Sequence, residues 1–349
     1  MVNSTLNIGI SEERAREIFT EMNAIARQNY TCDAYERAIK RVEMFEELLM
    51  DKVNQVDGML EAFRDPSFQI LLVEAQKRAA ASDRDADLQM LAELLVHRVE
   101  NKDDRKIKAS ISGAINIVDQ IDDDALCGLT LVYAISNLVA VSGDISQGLN
   151  DMNNLFSSLC YRKLPTEFEW VYHLDILNAV RSSSLVTFKK FKDYYTDMLN
   201  GYVCVGIQKN SENHSKALEI LRDANLPLEL LVAHELNNGF VRLNVQNKEL
   251  ISNIEFFAVS NAQVVKRRRI TAQEVSALDR IWNLYSQDAN IIENVRNTFM
   301  AKWNTYESLS LIRAWWEKIP HSFVITPIGR ALAHANAKRY NNNVPDMSL

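Results

Sequence analysis

AYERAIKRVEMFEELLMDKVNQVDGML, residues Ala34 to Leu60, carries a long helical pattern. Tyr35, Ile39, Val42, Phe45, Leu49, Val53, Val56 and Leu60 recur at steps of three and four, which gathers them on one helix face. The spacing predicts a long amphipathic helix over 34–60, and a helix of that length is suited to pairing with another chain. Upstream, Ser11 can cap a helix through Glu12, Glu13, Ile18, Met22 and Ile25, with acids in the first turn suiting its dipole. Downstream, Asp65-Pro66 reads as an N-cap followed by proline at the first helical position, opening a helix that carries Phe68, Leu71, Leu72 and Ala75. Further helices are expected near 84–101, 106–121, 124–141, 146–162, 166–181 and 187–200, and no fixed-period signature marks a regular solenoid.

Composition agrees with helix. Only 10 Gly and 6 Pro occur in 349 residues, which leaves few sites for the turns that a sheet-rich chain requires. Hydrophobic residues make up 47% and charged residues 24%, so a large core can be built and wholesale disorder is excluded. The length suggests two domains, an α-helical array over 1–200 and a smaller helical domain over 201–349. Texture changes after Gly201: TyrValCysVal is a possible strand, Ser215–Asp223 and Pro227–Leu236 read as helices around a tight turn, and the run from Phe240 to Val245 alternates as a strand does. Helix, turn, helix, strand is the order of a winged-helix module, so the fold class expected is mostly α with short winged-helix-like strands near the C-terminus. Helices near 271–287, 289–303 and 305–318, a strand at 322–326 and a last helix from Pro327 complete the expectation, with Asn341–Asn343 and the end frayed.

Ala125 to Gly143 runs 19 residues without a charge, near the length that could span a bilayer. It is flanked by Asp122, Asp123, Asp124 and Asp144 and lacks basic flanks, so a buried core helix is the favoured reading, a membrane-active role the weaker one. The start of the chain has no basic region followed by an apolar core and therefore does not read as a secretory signal. Cys32, Cys127, Cys160 and Cys204 are widely separated and form no CxxC pair, which suits buried free thiols in a reducing compartment, the cytoplasm.

No GxxxxGK[ST] loop, strand-borne GxGxxG, GxSxG elbow or HExxH occurs, so P-loop nucleotide hydrolysis and common zinc proteolysis are not expected. His234-Glu235 is half a metalloprotease motif, but Asn238 stands where the second histidine would be. The run Asp122-Asp123-Asp124 reads as helix capping in preference to a cation site. The sequence thus assigns no catalytic residue, no metal, no cofactor and no small-molecule ligand. Net charge is −7, yet residues 201–349 hold 17 Lys/Arg against 14 Asp/Glu, while residues 1–200 hold 22 against 32. The basic end carries Lys266, Arg267, Arg268 and Arg269, a candidate nucleic-acid contact whose bland alternative is a solvated linker or a salt-bridge partner for the acidic half. Trp303, Tyr306, Trp315 and Trp316 concentrate aromatic area near the end; core packing is the default, and Trp315 and Trp316 are candidate interaction residues beside Tyr35, Val42, Phe45 and Leu49.

Three segments resemble a sparsely characterised bacterial phage-defence-associated helical family: NSTLNIGISEERAREI (3–18), FRDPSFQILLVEAQK (63–77) and FVITPIGRALAHANAK (323–338). The ThrProIleGly pattern at 326–329 is similar to abortive-infection alpha-type proteins. The resemblance implies antiviral defence without established catalytic residues. In that family a polar segment made for strand-mediated self-association precedes the opening; here only Val2–Gly9 corresponds to it, which moves the expectation of self-association to the helix at 34–60. The leading expectation is therefore a non-enzymatic interaction or effector protein of abortive-infection type, a homo-oligomer or a binder of another bacterial or phage protein. The alternative is a nucleic-acid-binding regulator using the basic C-terminal half.

Overall fold

The computed structural model describes residues 12–53, 56, 59–101, 103–139, 141–183, 185, 187–260, 263–320 and 322–347, with the side chains of 12–31, 53, 60, 61 and 258–266 left aside. The proposed cap at Ser11 lies outside these residues. The fold is mostly α, as the sequence predicts. The chain forms two compact units, residues 1–121 with 345–349, and residues 122–344.

In the first unit, α1 (Glu12–Val53) and α2 (Met59–Ala62) precede α3 (Pro66–Ala81), α4 (Asp85–Glu100), α5 (Arg105–Ile115) and a 3₁₀ turn at Val118–Gln120. The two helices expected at 12–25 and 34–60 are one uninterrupted helix of 42 residues, about 63 Å long at 1.5 Å per residue. It ends at Val53 before Gly58, seven residues short of the expected end. α4 is the axis of the unit, and α1, α3 and α5 pack on it. From Asp87 to Val99 every residue except Gln89 is buried, as a helix surrounded on all sides requires. Its buried acids are satisfied. Asp87 accepts from Ser82 Oγ at 2.6 Å and from Arg84 at 2.8 Å, and Glu93 accepts from Lys52 Nζ at 2.7 Å with His97 Nε2 3.2 Å away. The Asp65-Pro66 start of α3 forms as predicted, Asp65 accepting from Ser67 N at 2.9 Å.

The second unit runs α6 (Asp123–Asn137), α7 (Ile145–Leu159), α8 (Glu169–Ile176), β1 (Val180–Ser182), α9 (Phe191–Met198), α10 (Asn200–Val203), β2 (Ile207–Gln208), α11 (Glu212–Asp223), β3 (Leu231–Ala233), β4 (Phe240–Leu243), β5 (Glu255–Ser260), β6 (Gln263–Arg269), α12 (Ala272–Trp282), α13 (Ala289–Trp303), α14 (Glu307–Trp316), β7 (Phe323–Ile325) and α15 (Pro327–Tyr340). α6 is the expected core helix, buried at every position from Ala125 to Ile135. Asp122 caps it by accepting from Asp124 N and Ala125 N, while Asp123 and Asp124 pair with Arg162. α15 lies along α6. Its buried Ala331, Ala333, Ala335 and Ala337 permit close approach, and buried Asn336 donates to Thr130 Oγ1 at 2.8 Å. Thr326 caps α15 through Gly329 N, and a Cβ at Gly329 would collide with the Ala179 carbonyl, so the ThrProIleGly turn has a steric reason for its glycine. Among the described helices, none is long and apolar enough to cross a membrane.

Four expectations are corrected. The boundary expected at 200/201 lies inside the second unit, because α9 and α10 pack on α13 and Gly201 N donates to the Gln246 carbonyl. The helix expected at 227–236 is a 3₁₀ turn, Leu228–Leu230, followed by strand β3. Residues 231–233 pair with β4 in an antiparallel sheet of order β2-β4-β3, so the winged-helix reading keeps its strand from Phe240 and loses its second helix to another strand. The helix expected at 166–181 stops at Ile176; Asn178 takes φ 60°, a left-handed turn that asparagine tolerates, and the chain enters β1, which pairs antiparallel with β7. At the end of the chain Val344 and Met347 are buried, where fraying was expected.

Candidate functional site

α1 joins two opposite environments. Phe45 and Leu49 are 1% and 3% exposed and belong to the core of the first unit; Val42 is half-buried. Arg41 donates to the Ala80 carbonyl at 3.1 Å, which ties the same turns to the end of α3. Among the described side chains, all six residues from Cys32 to Arg37 are exposed. Six successive residues cover every face of an α-helix, so this segment stands clear of the body on all sides. Tyr35, 67% exposed, and Ile39, 40% exposed, continue the stripe whose inner members are Val42, Phe45 and Leu49. Of the four candidates on this helix, Tyr35 is therefore available to a partner and Phe45 and Leu49 are not. The exposed thiol of Cys32 corrects the expectation of buried cysteines; Cys127 is buried, Cys160 and Cys204 half-buried. Burial pushes the Cys204 and Cys127 thiols up to about 12, which removes them as nucleophiles.

The basic run falls on β6 and leads into α12. Arg268 makes a two-pronged pair with Glu274 at 2.8 and 2.9 Å, and Arg267 Nε donates to Glu255 at 2.6 Å, with Arg269 3.5 Å from the same carboxylate. The side chain of Lys266 lies outside the described residues. Glu274 also completes a capping box with Thr271, and the Arg268 hydrogen bond, acting against burial, holds its carboxyl at about 2. Rings add to the hold: the Arg268 guanidinium sits 4.5 Å from the Phe256 ring centre. The three arginines thus face carboxylates of their own hairpin and the next helix, where the sequence reading placed partners in the acidic half. The tip of the other hairpin is also engaged. Glu235 accepts from Ser146 Oγ and Lys302 Nζ, both at 2.6 Å, which fastens the β3–β4 turn to α7 and α13. His234 is structural: its Nε2 lies 2.7 Å from the Cys204 carbonyl, Nδ1 accepts from Leu236 N, and burial lowers it to about 4.

Trp315 and Trp316 are 3% and 2% exposed, and their Nε1 groups donate to the Pro165 and Lys189 carbonyls. Packing in the second unit accounts for both, which withdraws them as surface interaction residues. Trp316 nevertheless borders a cavity of about 670 Å³ that no sequence motif announces, walled by Phe188, Tyr194 and Gln246 among others. Among the described residues no group of three or more His, Cys, Asp or Glu is arranged to hold a metal ion.

The architecture is thus mostly α, with a 42-residue first helix that is buried at Phe45 and Leu49 and exposed from Cys32 to Arg37. The chain belongs to the family described as ":-like", whose model matches residues 9–349. No curated protein and no solved structure matches it.

Proposed function

We propose that the protein acts by contact, as a self-associating interaction protein of bacterial antiviral defence. The observation that carries the self-association is the exposure of every residue from Cys32 to Arg37 on a helix whose apolar stripe is sealed a few turns later at Phe45 and Leu49. An isolated helical stretch in water is marginal, and burying an apolar stripe against a partner is what stabilises it. Charge selects a second copy as that partner. Asp33 and Glu36 precede Arg37 and Lys40, so an antiparallel copy sets acids of one chain opposite bases of the other, with Tyr35 and Ile39 between them. The defence setting rests on the resemblance at 3–18, 63–77 and 323–338. Nucleic-acid binding through residues 266–269 receives no comparable support, because Arg267 and Arg268 are held by glutamates.

The test is a phage-plating assay with cells expressing the wild-type chain or the pair Tyr35→Asp and Ile39→Asp. Wild type lowers plating efficiency; the pair restores plating while its soluble level and circular dichroism stay unchanged. Protection retained in the pair contradicts the reading, as does an absence of protection by wild type across a diverse phage panel.

A further inference from the structure

α8 is apolar on two sides, and the fold covers one of them. Trp170, Val171 and Leu174 are 4%, 3% and 0% exposed, and Trp170 packs edge-on against Phe323 with ring centres 5.6 Å apart. Phe168, at the start of the helix, Tyr172 and Ile176 follow one another at steps of four, which lines them along the outward side over about 12 Å. They are 52%, 57% and 78% exposed, and the Phe168 and Tyr172 rings stack at 6.0 Å and 25°. A surface helix needs one apolar side for the core; a second, carrying two stacked rings, is the kind of patch that a partner covers.

Acids border this stripe. At about 100° per residue, Glu169 lies just beyond Ile176 around the helix, and His173 beyond Glu169. Both line a cavity of about 550 Å³ whose wall also carries Asp122, Asp124, Glu167 and one base, Lys163. Asp122 is engaged by the α6 amides, and Arg162 pairs with Asp124 at 2.8 Å. Among the described residues, Glu167 and Glu169 have no ion pair or hydrogen bond.

Stripe and cavity together select the occupant. The excess of acids turns away nucleic acid and anionic lipid. A small cation fills the cavity and leaves the stripe bare. A polypeptide segment covers both, its apolar side chains on the stacked rings and its lysines or arginines at Glu167 and Glu169. The geometry points to a docking surface on α8 for a basic amphipathic helix of another protein. This surface belongs to the second unit and does not rest on self-association through α1.

The test is fluorescence anisotropy of two labelled peptides of about 18 residues, long enough to form a helix on binding, titrated with the full chain. One has leucine at steps of three and four with lysine elsewhere; the other has glutamate in place of lysine. Saturable binding of the leucine–lysine peptide is expected, with the leucine–glutamate peptide weaker by about tenfold or more. Two variants carry the assignment, Tyr172→Ser with Ile176→Ser and Glu167→Lys with Glu169→Lys. All four replaced side chains are exposed, and a thermal melt of each variant shows that it is folded. Each variant weakens the leucine–lysine peptide by about tenfold or more. The surface is overturned if wild type does not bind that peptide at about 100 μM, or if either folded variant binds it as wild type does. It is also overturned if a lysine–serine peptide of the same charge binds as tightly, which marks an acidic site without the stripe.

Discussion

The two halves of one helix make the most informative comparison in the molecule. Residues 42–52 of α1 and residues 32–40 carry the same three-and-four spacing of apolar side chains, yet the stripe of the first is buried at Phe45 and Leu49, where α1 packs on α3 and α4, and that of the second is exposed at Tyr35 and Ile39. Periodicity therefore establishes that a helix has an apolar face and leaves open what covers it. In the inner half the cover is the first unit itself; in the outer half the proposed cover is another copy of the chain.

Substitutions in the two halves separate these roles. The largest effect is expected for Phe45→Ala, which removes a ring from a well-packed site and costs about 3–5 kcal/mol, read as faster hydrogen exchange across the α4 amides. Tyr35→Asp, ten residues away on the same stripe, leaves that exchange within about 0.5 kcal/mol of wild type, since an exposed site has no core contact to lose. Equal protection losses in the two variants break the comparison.

The acid-linked effect at the inner end is next in size. Burial works to raise Glu93, but the hydrogen bonds and charges of His97 and Lys52 override it and hold the carboxyl at about 2, below its usual 4.5. Because the folded-state value is the lower one, this stability is fully present above pH 4.5 and is lost as pH falls toward 2. A loss on the order of 3 kcal/mol across that window is expected in the α4 amides, and Glu93→Gln flattens it. A wild-type profile that is flat between pH 5 and 2.5 contradicts the ion-pair account of how α1 is anchored.

Much of the fold is legible in the chain, and the legible parts share a cause. Asp65-Pro66, Asp122, Thr271 with Glu274, and Thr326-Pro327 start helices through caps three or four residues long, so neighbours in sequence carry the whole signal. The segment at 227–236 fails for the opposite reason: its leucines and Val232 suit helix or strand, and pairing with Phe240–Leu243 decides. The hairpin of β5 and β6 went unseen because the arginine run on β6 reads as a charge feature, although alternation places Arg268 toward Phe256 and Glu274. The candidate sites divide in the same way. Tyr35 follows from spacing, whereas the burial of Phe45 and Leu49 and the glutamates that hold Arg267 and Arg268 belong to the folded neighbourhood, which no local pattern records. The arginines at 267–269 face Glu255 and Glu274, partners that no run of basic residues announces.

The most direct test is the molar mass of the purified full chain by light scattering across a hundredfold range of concentration, beside the Tyr35→Asp, Ile39→Asp pair. Association through the outer half of α1 predicts a wild-type mass of at least twice 39.9 kDa and a folded variant at 39.9 kDa. A wild-type chain that remains at 39.9 kDa throughout contradicts it.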